Sequence, residues 1–298
     1  MDVMALIEPL MPHMETLMSP LSMAKRGKEA NDNTLFFLRA LAHERLFFCL
    51  IPKNGFLALN MVFAIIQKQP FKWNMGDLSC LGDASCKDAD GGPLNLTSIF
   101  DDESNGEPDK KWRRIVVHRD PVERFLSAYR SKCCLADTDG IQHCDQLFQL
   151  NRRRSEITPH AVASRLFSHG YRNGHWMPQR AFCGDLGTTW PRYTHHLHAN
   201  ALEKGLLGAL QGRVDKRALH MAHTYLANGT RGHHIPTRHG GMGHRTSLTP
   251  SAAASSQSGC RSDFKVSDET RALLHNFYSV DYEMFERFHE RLRPSKLL

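Results

Sequence analysis

The 298-residue chain contains no CxxC pair, no GxxxxGK[ST] sequence and no internal repeat. The missing CxxC argues against a zinc ribbon, and the missing Walker pattern against an ordinary ATP-binding P-loop. Eight cysteines, at 49, 80, 86, 133, 134, 144, 183 and 260, fall well short of the density of a disulfide scaffold. Long apolar runs are also missing. The stretch 35–51 is broken by Arg39, His43, Glu44 and Arg45, which excludes a membrane span there. The Met-rich N-terminus is interrupted by Glu8, Pro9, Pro12, His13 and Glu15, so it lacks both parts of a secretory leader, and no anchor is visible.

Apolar residues at 41% and charged residues at 23% exclude wholesale disorder, a collagen and a polytopic membrane protein. By length the chain equals roughly two average domains, although α/β enzymes of this size form single ones. A chain this long removes about three quarters of its unfolded surface from water, so a core needs no disulfides. Thirty-eight Lys and Arg against thirty-one Asp and Glu leave +7, with eighteen His in reserve. That surplus favours an anionic ligand without naming one. Cys80 with Cys86, and the group Cys133, Cys134, Cys144 and Cys183, can bridge in an oxidising compartment; free buried thiols in a reduced cell fit equally well. Two glycosylation sequons, at Asn95 and Asn228, agree with the first alternative.

Residues 1–34 read as a mobile lead-in to one domain over 35–298. Leu46-Phe47-Phe48-Cys49-Leu50-Ile51 is a short continuous apolar run, the pattern of a strand covered on both faces. Pro52-Lys53-Asn54-Gly55 then makes a turn, and the apolar residues from Phe56 to Ile66 predict a largely buried helix ending near Pro70. Residues 74–111 are rich in Gly, Asp, Asn and Ser and read as a loop-rich insertion. A second buried strand, Ile115-Val116-Val117, leads through His118 to Arg119. Asp120-Pro121-Val122-Glu123 follows as a helix start, with Asp120 as cap, Pro121 in the first helical position and Glu123 reaching back. Val122, Phe125, Leu126 and Tyr129 form its buried stripe. Between 145 and 230 there are helical patches without clear boundaries. A second insertion, 231–263, is rich in Gly, His and Ser, and a last helix or helix pair covers about 268–292.

Two strand-exit turns carry the candidate chemistry. At the first, backbone N–H groups of a helix start and the Lys53 ammonium meet at one point, an arrangement suited to phosphate. At the second, Arg119 leaves a strand and Ser127 lies two turns into the next helix, so a guanidinium and a hydroxyl can share one phosphate. Taken singly, the first turn reads better as a surface lysine after a strand, and the second as an arginine paired with Asp120 or Glu123 beside an ordinary helical serine.

Together the segments resemble the carbohydrate sulfotransferases of the Golgi type, the family that includes chondroitin and dermatan sulfotransferases and invertebrate relatives. CLIPKNG is similar to that family's 5′-phosphosulfate loop, and IVVHRDPVERFLSAYRSKC to its 3′-phosphate motif RxPxxRxxSxYRxK. His175-Trp176-Met177-Pro178-Gln179 with Cys183, and FKVSDETRALLHNFYSVDYEMF near the end, match two further segments in the family's order.

The resemblance implies a P-loop-like α/β fold with a central, mainly parallel sheet flanked by helices. It also implies 3′-phosphoadenosine-5′-phosphosulfate (PAPS) as sulfuryl donor, with no metal. Lys53 would act on the leaving 5′-phosphate together with N–H groups at Asn54, Gly55 and Phe56, and Arg119 and Ser127 would hold the 3′-phosphate. A histidine would be the base for the acceptor hydroxyl, worth about a hundredfold or more. His175 is the first choice because it lies in a family-like segment, His118 the second, and His244 can contact donor or acceptor. His195, His196, His233 and His234 read as solvated loop. The implied acceptor is a glycan hydroxyl, possible guides for an anionic polysaccharide being Arg152-Arg153-Arg154. The implied location is the Golgi lumen, with no nucleic-acid partner, and with a membrane reached only through an anchor outside what is visible. One departure stands out. Phe56, Leu57 and Ala58 occupy places where the family commonly carries Ser or Thr, which removes hydrogen bonds worth about 1 kcal/mol each or more. That departure motivates one alternative, a nucleotide- or glycan-binding protein that keeps the fold without turnover; the other, a P-loop-like kinase, needs a Walker lysine and a Mg²⁺-binding Ser/Thr that the sequence does not show.

Overall fold

A computed structural model of the chain describes residues 37–68, 96–100, 111–134, 144, 157–169, 174–229 and 266–292. The lead-in, most of the first insertion, all of the second, and with them Cys80, Cys86, Cys260, Asn95, Arg152-Arg153-Arg154, His233, His234 and His244, lie outside the described residues. The chain divides into two compact units, each assembled from separate stretches.

The first unit takes residues 37–51, 96–100, 111–116 and 180–196 of those described. It holds the greater part of a four-stranded sheet in the order β1 (Leu38–Leu41), β2 (Leu46–Cys49), β3 (Arg113–His118), β4 (His195–His198). β1 and β2 form an antiparallel hairpin pairing Leu41 with Leu46, and β2 runs parallel to β3 with Cys49 opposite Val116. Every residue of β2 is buried, as its unbroken apolar run requires of a strand with a neighbour on each side. β1 was not foreseen. Its sequence, LRAL, has weak strand propensity and includes Arg39, fully buried and lowered by desolvation to a pKa of about 10.

Inside the first insertion lies a short helix, α2 (Leu96–Phe100), following α1 (Phe56–Ile66) of the second unit in chain order. Its Phe100 ring meets those of Phe47 and Tyr193 at 5.3 and 5.6 Å. A Cys49–Cys183 disulfide ties the end of β2 to the segment before α5 (Leu186–Thr189). This corrects the grouping of Cys183 with Cys133, Cys134 and Cys144. The pair is separated by 134 residues, and the sheet brings its members together, not their spacing. His195 and His196 are likewise corrected. They are half-buried on β4, where His196 Nε2 lies 2.9 Å from the Tyr193 carbonyl and its ring packs on Trp190.

The second unit contains α1 (Phe56–Ile66), α3 (Pro121–Tyr129), α4 (Pro159–His169), α6 (Leu202–Leu210), α7 (Lys216–Gly229), α8 (Asp268–Phe277) and α9 (Ser279–Leu292). α7 packs on α1, and α3, α4 and α8 pack on one another. Val122, Phe125, Ala128, Tyr129, Val162, Leu166, Trp176, Leu274 and Tyr278 form their shared core, so the stripe expected of α3 is the face it buries. The polar ends of the buried tyrosines are satisfied. Tyr129 donates to the Ile157 carbonyl at 2.6 Å and Tyr278 to that of Trp176 at 3.0 Å. Burial raises both hydroxyls, that of Tyr129 to about 12. A second disulfide, Cys133–Cys144, closes the turn that follows α3. Of the two alternatives left open for these cysteines, Cys49, Cys133, Cys144 and Cys183 form bridges. No helix among the described residues is long and apolar enough to cross a membrane.

Candidate active site

Both candidate turns belong to the second unit. The first delivers Lys53 and Gly55 in left-handed backbone conformations, with φ of 73° and 86°. For glycine that costs nothing, whereas a lysine held there stores about 1–3 kcal/mol, a feature concentrated at functional sites. A Cβ on Gly55 would come within 2.6 Å of Leu202 Cδ2. Gly55→Ala is expected to lower stability by about 1–2 kcal/mol through the left-handed backbone alone, measured by chemical denaturation. Gly55 caps α1, whose first turn has no acidic residue and no side-chain cap. The N-terminal N–H groups of a helix have no intrahelical acceptor, so this end of α1 is built to face an anion.

The second turn begins where β3 ends. Asp120 Oδ1 accepts from the Glu123 N–H at 2.9 Å and Pro121 occupies the first helical position, as expected. Glu123 does not reach back as a capping-box partner. Its carboxylate instead accepts from Arg119 Nε at 3.3 Å and from Asn200 Nδ2 at 3.1 Å. An i,i+4 guanidinium competes better for that carboxylate than one backbone N–H.

The turns meet. Arg119 Nη1 donates to the carbonyl of Lys53 itself at 3.4 Å, and Arg119 Nη2 to Asn200 Oδ1 at 3.4 Å. The Lys53 ammonium donates to Ser131 Oγ, in the turn Arg130–Cys134 that continues α3. Ser131 was missed by sequence reasoning because its place depends on that extra turn of helix. Ser127 is half-buried one turn earlier on α3.

Beneath the turns lies a fully buried polar layer. Asn54 Nδ2 donates to the Val117 carbonyl at 2.9 Å and to Gln179 Oε1 at 2.6 Å. Gln179 Oε1 also accepts from the Arg119 N–H at 3.1 Å, Gln179 Nε2 donates to the Arg119 carbonyl at 2.7 Å, and the Gln179 N–H donates to Asp281 at 2.9 Å. Arg124, also fully buried, donates to the carbonyls of Pro52, Gly174 and Met177 at 3.0, 2.9 and 2.7 Å. Burial lowers the Arg124 pKa, opposed by nearby Tyr278 and Asp281. Gln179 and Arg124 were both inside quoted motifs, yet neither was assigned a role. Neither carried a local signal, since Arg124 lies off the Val122–Tyr129 stripe and Gln179 sits between Pro178 and Arg180.

His175 occupies the turn whose flanking carbonyls, Gly174 and Met177, Arg124 holds. His118 ends β3, its ring 5.3 Å from each of His198 and Phe285. His198 in turn accepts from the Asn200 N–H at 3.2 Å. Lys53, Asn54, Gly55, Phe56 and Arg119 are therefore gathered at one place, with the His175 turn joined to them through a single buried guanidinium.

Such a site can bind two anionic groups, one at the start of α1 with Lys53 and one at Arg119. It can also stabilise charge developing on an oxygen between them and the acceptor. The profile of the Sulfotransferase family matches residues 38–288. Comparison with curated proteins and with solved structures gives no match in either.

Proposed function

Because the chain belongs to the Sulfotransferase family, and is on that ground a sulfuryl transferase, we propose that it uses PAPS as donor and a carbohydrate hydroxyl as acceptor. The observation that carries this reading is the meeting of the two turns, with the Arg119 guanidinium on the carbonyl of Lys53. A doubly phosphorylated adenosine needs cationic groups of this kind for both its phosphates. The residues fit it. Gly55 lets the turn into α1 adopt its left-handed backbone close against Leu202, the helix start carries no opposing carboxylate, and Lys53 adds a positive charge.

The donor supplies a sulfuryl group on the 5′-phosphate. In the transfer the acceptor oxygen forms a new S–O bond, the S–O bond to the bridging oxygen breaks, and the hydroxyl proton passes to a base. Lys53 neutralises charge on the bridging oxygen as that bond breaks, with the N–H groups at Gly55 and Phe56 assisting. Arg119 holds the 3′-phosphate, with Ser127 on α3, the helix that follows it. His175 serves as base, a role supported by the anchor its turn shares with the Lys53 turn. Positioning and electrostatics carry the reaction, as in phosphoryl transfer. The two disulfides support an oxidising compartment such as the Golgi lumen.

Calorimetric titration with adenosine 3′,5′-bisphosphate and with ATP, followed by radiolabelled sulfate transfer to a glycan panel, tests the proposal. Tighter binding of the bisphosphate and label on a glycan are expected; preference for ATP would overturn it. Bisphosphate binding without transfer to any glycan would leave the non-catalytic alternative. Within the site, Arg119→Ala should weaken bisphosphate binding by about 10- to 100-fold, the worth of hydrogen bonds to a charged group. Glu123→Gln should tighten it severalfold, since it removes a carboxylate that competes for Arg119.

A further inference from the structure

Gln179 has no exposed surface, and each of its side-chain polar atoms is committed to the two anion-binding turns. Its amide grips both the N–H and the carbonyl of Arg119, at 3.1 and 2.7 Å, much as a neighbouring strand would. The same Oε1 accepts from Asn54, the residue between Lys53 and Gly55, at 2.6 Å. Its backbone N–H is fixed by buried Asp281 on α9 at 2.9 Å. These bonds also settle the orientation of both amides, because each nitrogen faces a carbonyl oxygen and no donor.

We propose that Gln179 is a positioning residue that sets the spacing between the Lys53 turn and the Arg119 turn, and so decides whether one ligand bearing two phosphates can be held at both ends at once. The inference rests on the donor site proposed above. Neither turn depends on Gln179 for its own anion-binding groups. The Lys53 turn keeps its helix start, and the Arg119 guanidinium keeps its own partners. What Gln179 adds is a rigid link between them. Two sites joined in correct register give a bivalent ligand an affinity beyond either site alone, and that gain is lost when the geometry drifts.

The test compares three probes on the folded full chain: adenosine 3′,5′-bisphosphate, adenosine 3′-monophosphate and adenosine 5′-monophosphate. In the wild type the bisphosphate should bind far more tightly than either monophosphate. Gln179→Met, which keeps volume and removes the amide, should weaken the bisphosphate about tenfold or more while shifting each monophosphate by less than about threefold. Loss of all three affinities in parallel, or an unchanged ratio, would show that Gln179 only fills space and would overturn the assignment. If Gln179→Met does not fold, as judged by its thermal transition, the ratio is read on Gln179→Glu. That variant keeps an acceptor for Asn54 and for the Arg119 N–H and loses the donor to the Arg119 carbonyl. Its ratio should fall partway; an unchanged one would again overturn the role. Failure of the underlying donor site looks different. There the wild type itself would show no advantage for the bisphosphate.

Discussion

Lys53→Met is expected to lower sulfate-transfer turnover by about 10²- to 10³-fold, the usual cost of removing one preorganised group that stabilises developing charge. Binding of adenosine 3′,5′-bisphosphate should fall much less. The ammonium faces its greatest demand when the bridging oxygen takes up charge, a condition of the transition state and not of the bound product. Single-turnover transfer rates and calorimetric affinities, measured on the same preparations, separate the two effects. A companion variant isolates chemistry from folding. Because Lys53 has φ of 73°, Lys53→Gly relieves a left-handed backbone that only glycine adopts freely. It should be as inactive as Lys53→Met, yet at least as stable as the wild type, by up to about 1 kcal/mol. A Lys53→Met enzyme with normal turnover would remove Lys53 from the mechanism.

Arg124→Met is expected to destabilise the protein by about 3–5 kcal/mol, the range for breaking a buried charged network by removing one partner. Three carbonyls, those of Pro52, Gly174 and Met177, would lose their donor inside the core. Buried Asp281 would lose a nearby positive charge. Arg124→Lys should recover little of this, since one ammonium cannot reproduce a planar fork directed at three acceptors. Denaturant unfolding curves give the difference directly. A loss below about 1 kcal/mol for Arg124→Met would mean that the carbonyls find other partners.

The roles of Arg124 and Gln179 show how far residue patterns reach. β2 and the core of β3 were legible because each is an apolar run too short for a helix, the pattern of a strand covered on both faces, with Pro52 and Gly55 closing the first. α3 was legible down to its cap, because Asp-Pro at a helix start and the spacing of Val122, Phe125, Leu126 and Tyr129 are local matters. β1 was not, because its pairing with β2, and not its own propensity, makes it a strand. The middle of the chain was equally opaque. α4 and α7 are amphipathic helices packed on partners distant in sequence, α8 and α1, and α6 packs on α7.

The same division runs through the site. The residue types at each turn follow from the chain alone. A lysine and glycine after one buried strand, and an arginine before a capped helix after another, are local arrangements with local causes. What tertiary structure decided is everything that depends on separations of tens of residues. It brought Arg119 against the Lys53 carbonyl, gave Lys53 a hydroxyl partner in Ser131, and paired Cys49 with Cys183. Hydrogen bonds and disulfides are short-range, so their partners are chosen only after burial has brought distant segments together. Patterns along the chain record that burial, but not which polar groups it leaves face to face.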